Sequence, residues 1–344
     1  MFSHFKSKQV LTAILLIFTA IQLTSCTNRN EVNQTLYAFG TEVHLQMLVN
    51  NKEQANKAIH EIEQHFIDFN QDWHAWQQGS TLFKINQAIN NQKPISVADD
   101  IKQFIIKSQQ LSQESNGLFD PAIGQLVSLW GFHSEDWGGQ PPKKSTIQQY
   151  LNNRASISQI HFDGNQLRSS NPEVQLDFGG NVKGLALKQA AQIFKANGIE
   201  HGIINIGGDM LVLGNKNGQA WQIGVQDPKQ PQQIIAQVQA SDGMAVVTSG
   251  TYQRFFEWQG KSYSHILNPN TGYPADTFAS VTIVHPDATR ADAAATAILI
   301  AGKNDWQKVA RKMQIEKVFA IDHFRKVYIT EAMQPFLKTE IPAN

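Results

Sequence analysis

A single cysteine, Cys26, occurs in the 344 residues, so no disulfide can form within the chain. Whatever the chain folds into must therefore be held by its apolar core. Hydrophobic residues make up 41% of the sequence, and the roughly 320 residues from Cys26 onward suffice for a sizeable core in one large domain or two. Lysine plus arginine equals aspartate plus glutamate at 29 each. With no excess of positive charge to neutralise phosphates, nucleic acid is not an expected partner.

The first residues carry His4, Lys6 and Lys8, followed by the apolar run "VLTAILLIFTAI" from Val10 to Ile21. This is the charge-then-apolar order of a secretory signal, and the run is short of the ~20 residues that span a bilayer. "LTSC" comes next, Leu23 to Cys26, and is similar to a bacterial lipoprotein cleavage box. The expected organisation is a signal peptide over 1–25, a lipid-anchored tether over 26–34, and one domain over 35–344 facing the periplasm. Thr27, rather than an aspartate, favours the outer membrane.

Further along, periods of two and of 3.6 residues are mixed. "TLYAFGTEVHLQMLV" reads as a first strand interrupted at Gly40 by a bulge or a close ligand approach. Ala55, Ala58, Ile59, Ile62, Phe66 and Phe69 form a helical stripe. Ile101, Phe104, Ile105, Ser108 and Leu111 form another, within a helix over Asp99–Glu114. The stretch from Trp137 to Ser145 is a loop by its glycines and prolines. Strand-like runs at "IHFDGNQLRSS" and "QAWQIGVQDP" flank a helix over Val182–Asn197. No repeat unit is present, and the expected class is α+β in one compact domain.

Several segments could carry chemistry. In "TRADAAATAILIAG", Asp292 and Thr296 lie one helical turn apart on one face. They would suit a hard cation, or else Asp292 offsets the positive end of its own helix while Thr296 bonds to its own backbone. "LDFGGNVKG" puts Asp177 before Gly179 and Gly180 and sets Lys183 at a helix start, where free amides could meet an anion. Gly207 and Gly208 suit a close-approach turn. His265 follows the hydroxyl-rich "SYS" and is a candidate base, although it is one of 11 histidines. Trp73, Trp76, Phe119 and Trp130 could stack on a flat heterocycle or plug a core.

In their order, "FGT", "W…ST…IN", "FDPAIGQLVSLWGF", "LDFGGNVKG", "NIGGD", "TSGTYQRFF", "SHILNPNTGYP" and "ADAAATA" resemble the successive signatures of the ApbE family, the FAD:protein FMN transferases. The resemblance runs from about Phe39 to Gly302 and implies a T-fold-like domain. It implies magnesium held by Asp292, Thr296 and a backbone oxygen of Gly180, with FAD as substrate contacted by Phe39, Trp76, Leu118, Phe119, Asp120, Asp177, Lys183 and Ile266. Asp292 and His265 become the expected catalytic residues. The implied reaction moves FMN from FAD to a threonine or serine of an acceptor flavoprotein and releases AMP. Family acceptors include subunits of sodium-translocating NADH:quinone reductase and Rnf-type complexes. A magnesium-dependent FAD pyrophosphatase and a non-catalytic flavin-binding lipoprotein are the alternatives.

Overall fold

The computed structural model describes residues 29–134 and 139–338. The expected signal peptide, Cys26 and Trp137 lie outside the described residues. Eight strands form one sheet whose spatial order repeats chain order: β1 (Asn30–Ala38), β2 (Thr41–Val49), β3 (Gly202–Ile206), β4 (Asp209–Leu213), β5 (Ala245–Gly250), β6 (Phe278–His285), β7 (Lys317–Asp322) and β8 (Val327–Ile329). Every neighbouring pair is antiparallel.

Alternation along the strands sorts side chains to two faces. Leu45, Met47, Val247, Ile283 and Ala320 face a layer built from the helices Lys52–Trp73, Val182–Ala196 and Ala288–Lys312. Val212, Val246, Val284 and Phe319 face the hairpin Trp221–Asp227/Gln230–Ala240, whose inward residues Ile223, Val225, Ala236 and Val238 are buried. A smaller core lies between β2 and β3 in sequence, around Ile85, Ile101, Phe104, Ile105 and Phe178.

The helical stripes behave as expected. Ala55, Ala58, Ile62, Phe66 and Phe69 are buried in a helix that runs on to Trp73, and the Asp99–Glu114 helix buries all five expected residues plus Ser112. Trp73 extends the first helix by packing its ring 4.6 Å from Phe104 and 5.5 Å from Phe178.

Two local expectations need correction. The segment around Gly40 is not one bulged strand. Phe39 (φ 57°) and Gly40 (φ 69°) are the two turn residues of the β1/β2 hairpin, in the left-handed pair of conformations that a right-twisted hairpin favours. Residues 30–34, read as tether, belong to β1, because pairing with β2 satisfies their backbone as far as Asn30↔Val49. The turn of Gly207 and Gly208, joining β3 to β4, packs beside this hairpin; a Cβ on Gly207 would sit 2.9 Å from Thr41 Oγ1.

Candidate functional site

Where the β1/β2 turn meets the Lys52–Trp73 helix, a cavity of about 1200 Å³ opens, large enough for a dinucleotide. Phe39, Trp73, Trp76, Phe132, His133, Asp177 and Arg254 are among its lining residues. A bulky side chain at positive φ is a strained conformation. Here the Phe39 ring is held by edge contacts to Phe66 and Phe69, at 5.0 and 5.4 Å between centroids.

Trp76 is fixed from its polar end. Its Nε1–H donates to Asp177 Oδ2 at 2.9 Å, and its ring lies 5.3 Å from that of His133. Asp177 Oδ1 accepts from the Gly179 amide at 2.9 Å. One carboxylate thus ties an aromatic wall of the cavity to the glycine turn. For the FAD that the sequence resemblance implies, we expect Trp76→Phe, which keeps the ring and removes the donor, to weaken binding about tenfold, or about 1.4 kcal/mol, without lowering Tm by more than a few degrees. Titration of flavin fluorescence checks this, and an unchanged affinity contradicts the role given to the Trp76–Asp177 bond.

Several amides of the glycine turn, which its sequence suggests are free for an anion, have partners within the protein. The amides of Gly179, Asn181, Val182 and Gly184 are all taken, by Asp177 Oδ1, Phe178 O, Phe178 O and Asp292 Oδ2. Asn181, at the N-cap of the Val182–Ala196 helix, makes no capping bond with its side chain. Asp292 supplies the carboxylate there instead, accepting from Gly184 N–H at 3.1 Å from a neighbouring helix.

The alternative structural reading of the Asp292–Thr296 pair is corrected in the same way. Asp287 caps the Ala288–Lys312 helix, accepting from Arg290 N, and the first turn holds no acidic residue, so Asp292 lies beyond the turn whose positive end it was expected to offset. Thr296 Oγ1 lies 3.3 Å from Ser249 Oγ of β5. A Cβ placed on Gly180 would sit 3.5 Å from Thr296 Oγ1 and 3.3 Å from the Phe119 ring. The sequence-distant Phe119, Gly180, Ser249 and Thr296 therefore meet just behind the glycine turn.

Lys183 points into the same region and pairs with Asp209, a buried residue whose other carboxylate oxygen accepts from Thr248 N at 3.0 Å. Burial and the nearby Asp209 carboxylate push the Asp292 carboxyl up. The attraction of Asp209 and Asp292 keeps the Lys183 ammonium charged, its pKa raised despite burial. Sequence reasoning missed Asp209. The "NIGGD" signature was visible, but an aspartate after two glycines reads as a turn residue.

The remaining expected residues lie away from the cavity wall. Leu118 packs on the main core and Phe119 is buried in it. Asp120 accepts from the amides of Ala122 and Ile157, and burial raises its pKa. The Ile266 side chain is also buried in the main core, and its carbonyl accepts from Ala275 N. His265 sits half-buried behind the cavity wall, its ring 6.3 Å from that of Phe132, with Nδ1 3.1 Å from the Arg254 carbonyl. Only a protonated Nδ1 can donate to that carbonyl, which leaves Nε2 as the proton acceptor. Burial pushes the His265 pKa down to about 4, so the ring is neutral at neutral pH.

Residues 39–319 match the family model described as the ApbE family. The chain belongs to the ApbE family. A FAD:protein FMN transferase of Rhodobacter capsulatus is 32% identical over 308 residues, covering 90% of this chain; the chain spans 58% of that protein's length. One of Haemophilus influenzae is 27% identical over 343 residues, 96% of this chain and 98% of that protein. Among solved ApbE structures, that of Thermotoga maritima superposes with a TM-score of 0.80 at 29% identity, covering 90% of this chain and all of that one. The flavin transferase ApbE of Vibrio cholerae, at 24% identity and a TM-score of 0.76, shares the fold over 90% of this chain and 99% of its own.

The donors around Gly180 fit a magnesium ion. Among the described residues no group of three or more histidine, cysteine, aspartate or glutamate side chains could hold a metal alone. What the site offers is the Asp292 carboxylate, with Asp209 nearby but paired to Lys183, the Thr296 hydroxyl and the Gly180 backbone, all oxygen. That is the sparse, hard donor set magnesium uses when substrate phosphates complete its shell.

Proposed function

We propose that this protein is a FAD:protein FMN transferase that works with Mg2+. The observation that carries this reading is the arrangement at one wall of the cavity. Asp177 joins the aromatic lining to a glycine turn, and behind that turn Thr296, Asp292 and the Lys183–Asp209 pair converge. The flavin ring would lie against Phe39 and Trp76, and the diphosphate near Gly180 and Lys183.

Phosphoryl transfer asks the protein mainly for positioning and for charge of the right sign. The acceptor hydroxyl attacks the phosphorus on the riboflavin side and gives up its proton; the neutral Nε2 of His265, beside the Phe132 that lines the cavity, would be its acceptor once substrate is bound. The phosphoanhydride bond breaks, AMP leaves with the bonding pair, and FMN remains as a phosphoester on the acceptor. Lys183, kept charged by two carboxylates, offsets the negative charge on the phosphates. Magnesium held by Asp292, Thr296 and the Gly180 backbone would supply further neutralisation of the diphosphate. Cys26 would carry the lipid that holds the protein at a membrane facing the periplasm. There it would serve flavin-bearing subunits of sodium-translocating NADH:quinone reductase or Rnf-type complexes.

The test is incubation with FAD, such an acceptor subunit, and either Mg2+ or excess chelator. We expect covalent flavin on the acceptor with Mg2+, a loss of at least about 100-fold under chelation, and recovery on adding the metal back. Chelator-insensitive transfer overturns the magnesium assignment. Free FMN plus AMP with no covalent product indicates hydrolysis, and unchanged FAD indicates a binder.

A further inference from the structure

A protein acceptor must bring a hydroxyl into the cavity, and one sheet edge leads there. β1 is terminal in the sheet; among the described residues, β2 alone pairs with it. Sheet edges are commonly blunted by lysine, proline or a bulge. Over the nine residues "NEVNQTLYA", β1 has none of these. Glu31 is its one charge, and its pairing with β2 is unbroken from Asn30 to Ala38.

The hairpin geometry settles which backbone groups face outward. With a two-residue turn at Phe39–Gly40, Ala38↔Thr41 is the first hydrogen-bonded pair, and the pairs alternate from there. Ala38, Leu36, Gln34 and Val32 therefore bond to β2, while the N–H and C=O groups of Tyr37, Thr35, Asn33 and Glu31 point away from the sheet. One of these is engaged locally: the Thr35 carbonyl accepts from the exposed Gln34 side chain at 3.0 Å. The edge ends at the cavity, because Leu36, Tyr37 and Ala38 belong to its lining. Beside it are two apolar side chains that a folded monomer has little reason to expose, Tyr37 at 79% and Ile67 at 60%, both also on the cavity rim.

We propose that β1 is the docking edge for the protein substrate. An extended segment of the acceptor flavoprotein adds to it as a ninth strand, its apolar side chains cover Tyr37 and Ile67, and the continuing chain carries the threonine or serine hydroxyl past Ala38 into the cavity. Main-chain pairing supplies affinity that tolerates varied acceptor sequences, and the apolar rim sets register. This rests on the transferase reading above, which requires a protein acceptor at this cavity.

Two measurements test it, using an acceptor subunit that the wild-type protein flavinylates. In the first, the acceptor's target threonine is replaced by valine so that the complex persists, and amide exchange is followed residue by residue. Exchange at Asn33, Thr35 and Tyr37 slows at least about tenfold. In the second, Thr35→Pro removes an outward N–H that the β1/β2 ladder does not use. Acceptor kcat/KM falls about 30-fold while FAD affinity stays within about twofold. Unprotected edge amides in the bound complex, or normal transfer by Thr35→Pro, overturn the proposal. So does protection that needs no acceptor and grows with protein concentration, because a second copy would then hold the edge. If Thr35→Pro misfolds, the exchange measurement on the wild type decides. Failure of the wild type to modify any acceptor would instead overturn the transferase reading itself.

Discussion

Replacing Asp292 by asparagine should abolish flavin transfer and leave the fold intact. The asparagine amide oxygen can still accept from Gly184 N–H, the bond that Asp292 Oδ2 makes at 3.1 Å, so the N-terminus of the Val182–Ala196 helix keeps its cap. What is lost is the negative charge that the metal reading requires, and transfer should fall by about 10³-fold or more, some 4 kcal/mol of barrier. Asp292→Ala differs in one respect. It also strands a buried N–H, at a cost of about 1–3 kcal/mol, so it should lower Tm where asparagine does not. Transfer rate and Tm measured on both variants separate the two duties of this side chain. Near wild-type transfer by Asp292→Asn would show that the carboxylate only caps a helix.

The largest effect on stability is expected at Gly184. The helices Val182–Ala196 and Ala288–Lys312 approach so closely there that a Cβ would lie 2.4 Å from the Ala288 carbonyl oxygen and 2.6 Å from Thr289 Cα. Both are backbone atoms of a buried turn, so no side chain can swing away and the helices must separate. Overpacking of this kind costs about 3 kcal/mol, enough to lower Tm by about 4–5 °C in a folded domain of roughly 300 residues. The same separation pulls Gly184 N–H from Asp292, so the Gly184→Ala variant should lose transfer activity even at temperatures where it remains folded. Thermal unfolding and transfer assays on that variant check both, and a Tm within 2 °C of wild type contradicts the close packing described here.

What could be read from the residues depended on whether the signal was local. The Asp99–Glu114 helix matched at both ends because its acidic first turn and its apolar stripe sit in one window. The helix beginning at Lys52 ran past the expected end because Trp73 is held by Phe104 and Phe178, contacts that no local period reveals. Phe39 was placed within one strand interrupted at Gly40, since a phenylalanine rarely occupies a turn position with φ 57°. That strain itself marks the cavity.

At the site, the spacing of four that sets Asp292 and Thr296 on one helical face was legible in the sequence. The partners that give the pair its meaning were not. Gly184 N–H, Ser249 and Asp209 arrive from other elements, and Lys183 reaches Asp209 across 26 residues. The order of the short signatures carried the family, because several weak motifs in one sequence are jointly specific. It could not show that only Phe39, Trp76 and Asp177 of the expected FAD contacts line the large cavity, while Phe119 stands behind Gly180.

The most direct test of the account is a stoichiometry. Purified protein, Mg2+, FAD and an acceptor subunit are incubated together; AMP is quantified by chromatography and covalent flavin on the acceptor by intact mass. One AMP is expected for each FMN phosphoester formed, with both products disappearing together in Asp292→Asn. AMP release without any gain in acceptor mass, or a flavinylated acceptor produced equally well by Asp292→Asn, would contradict it.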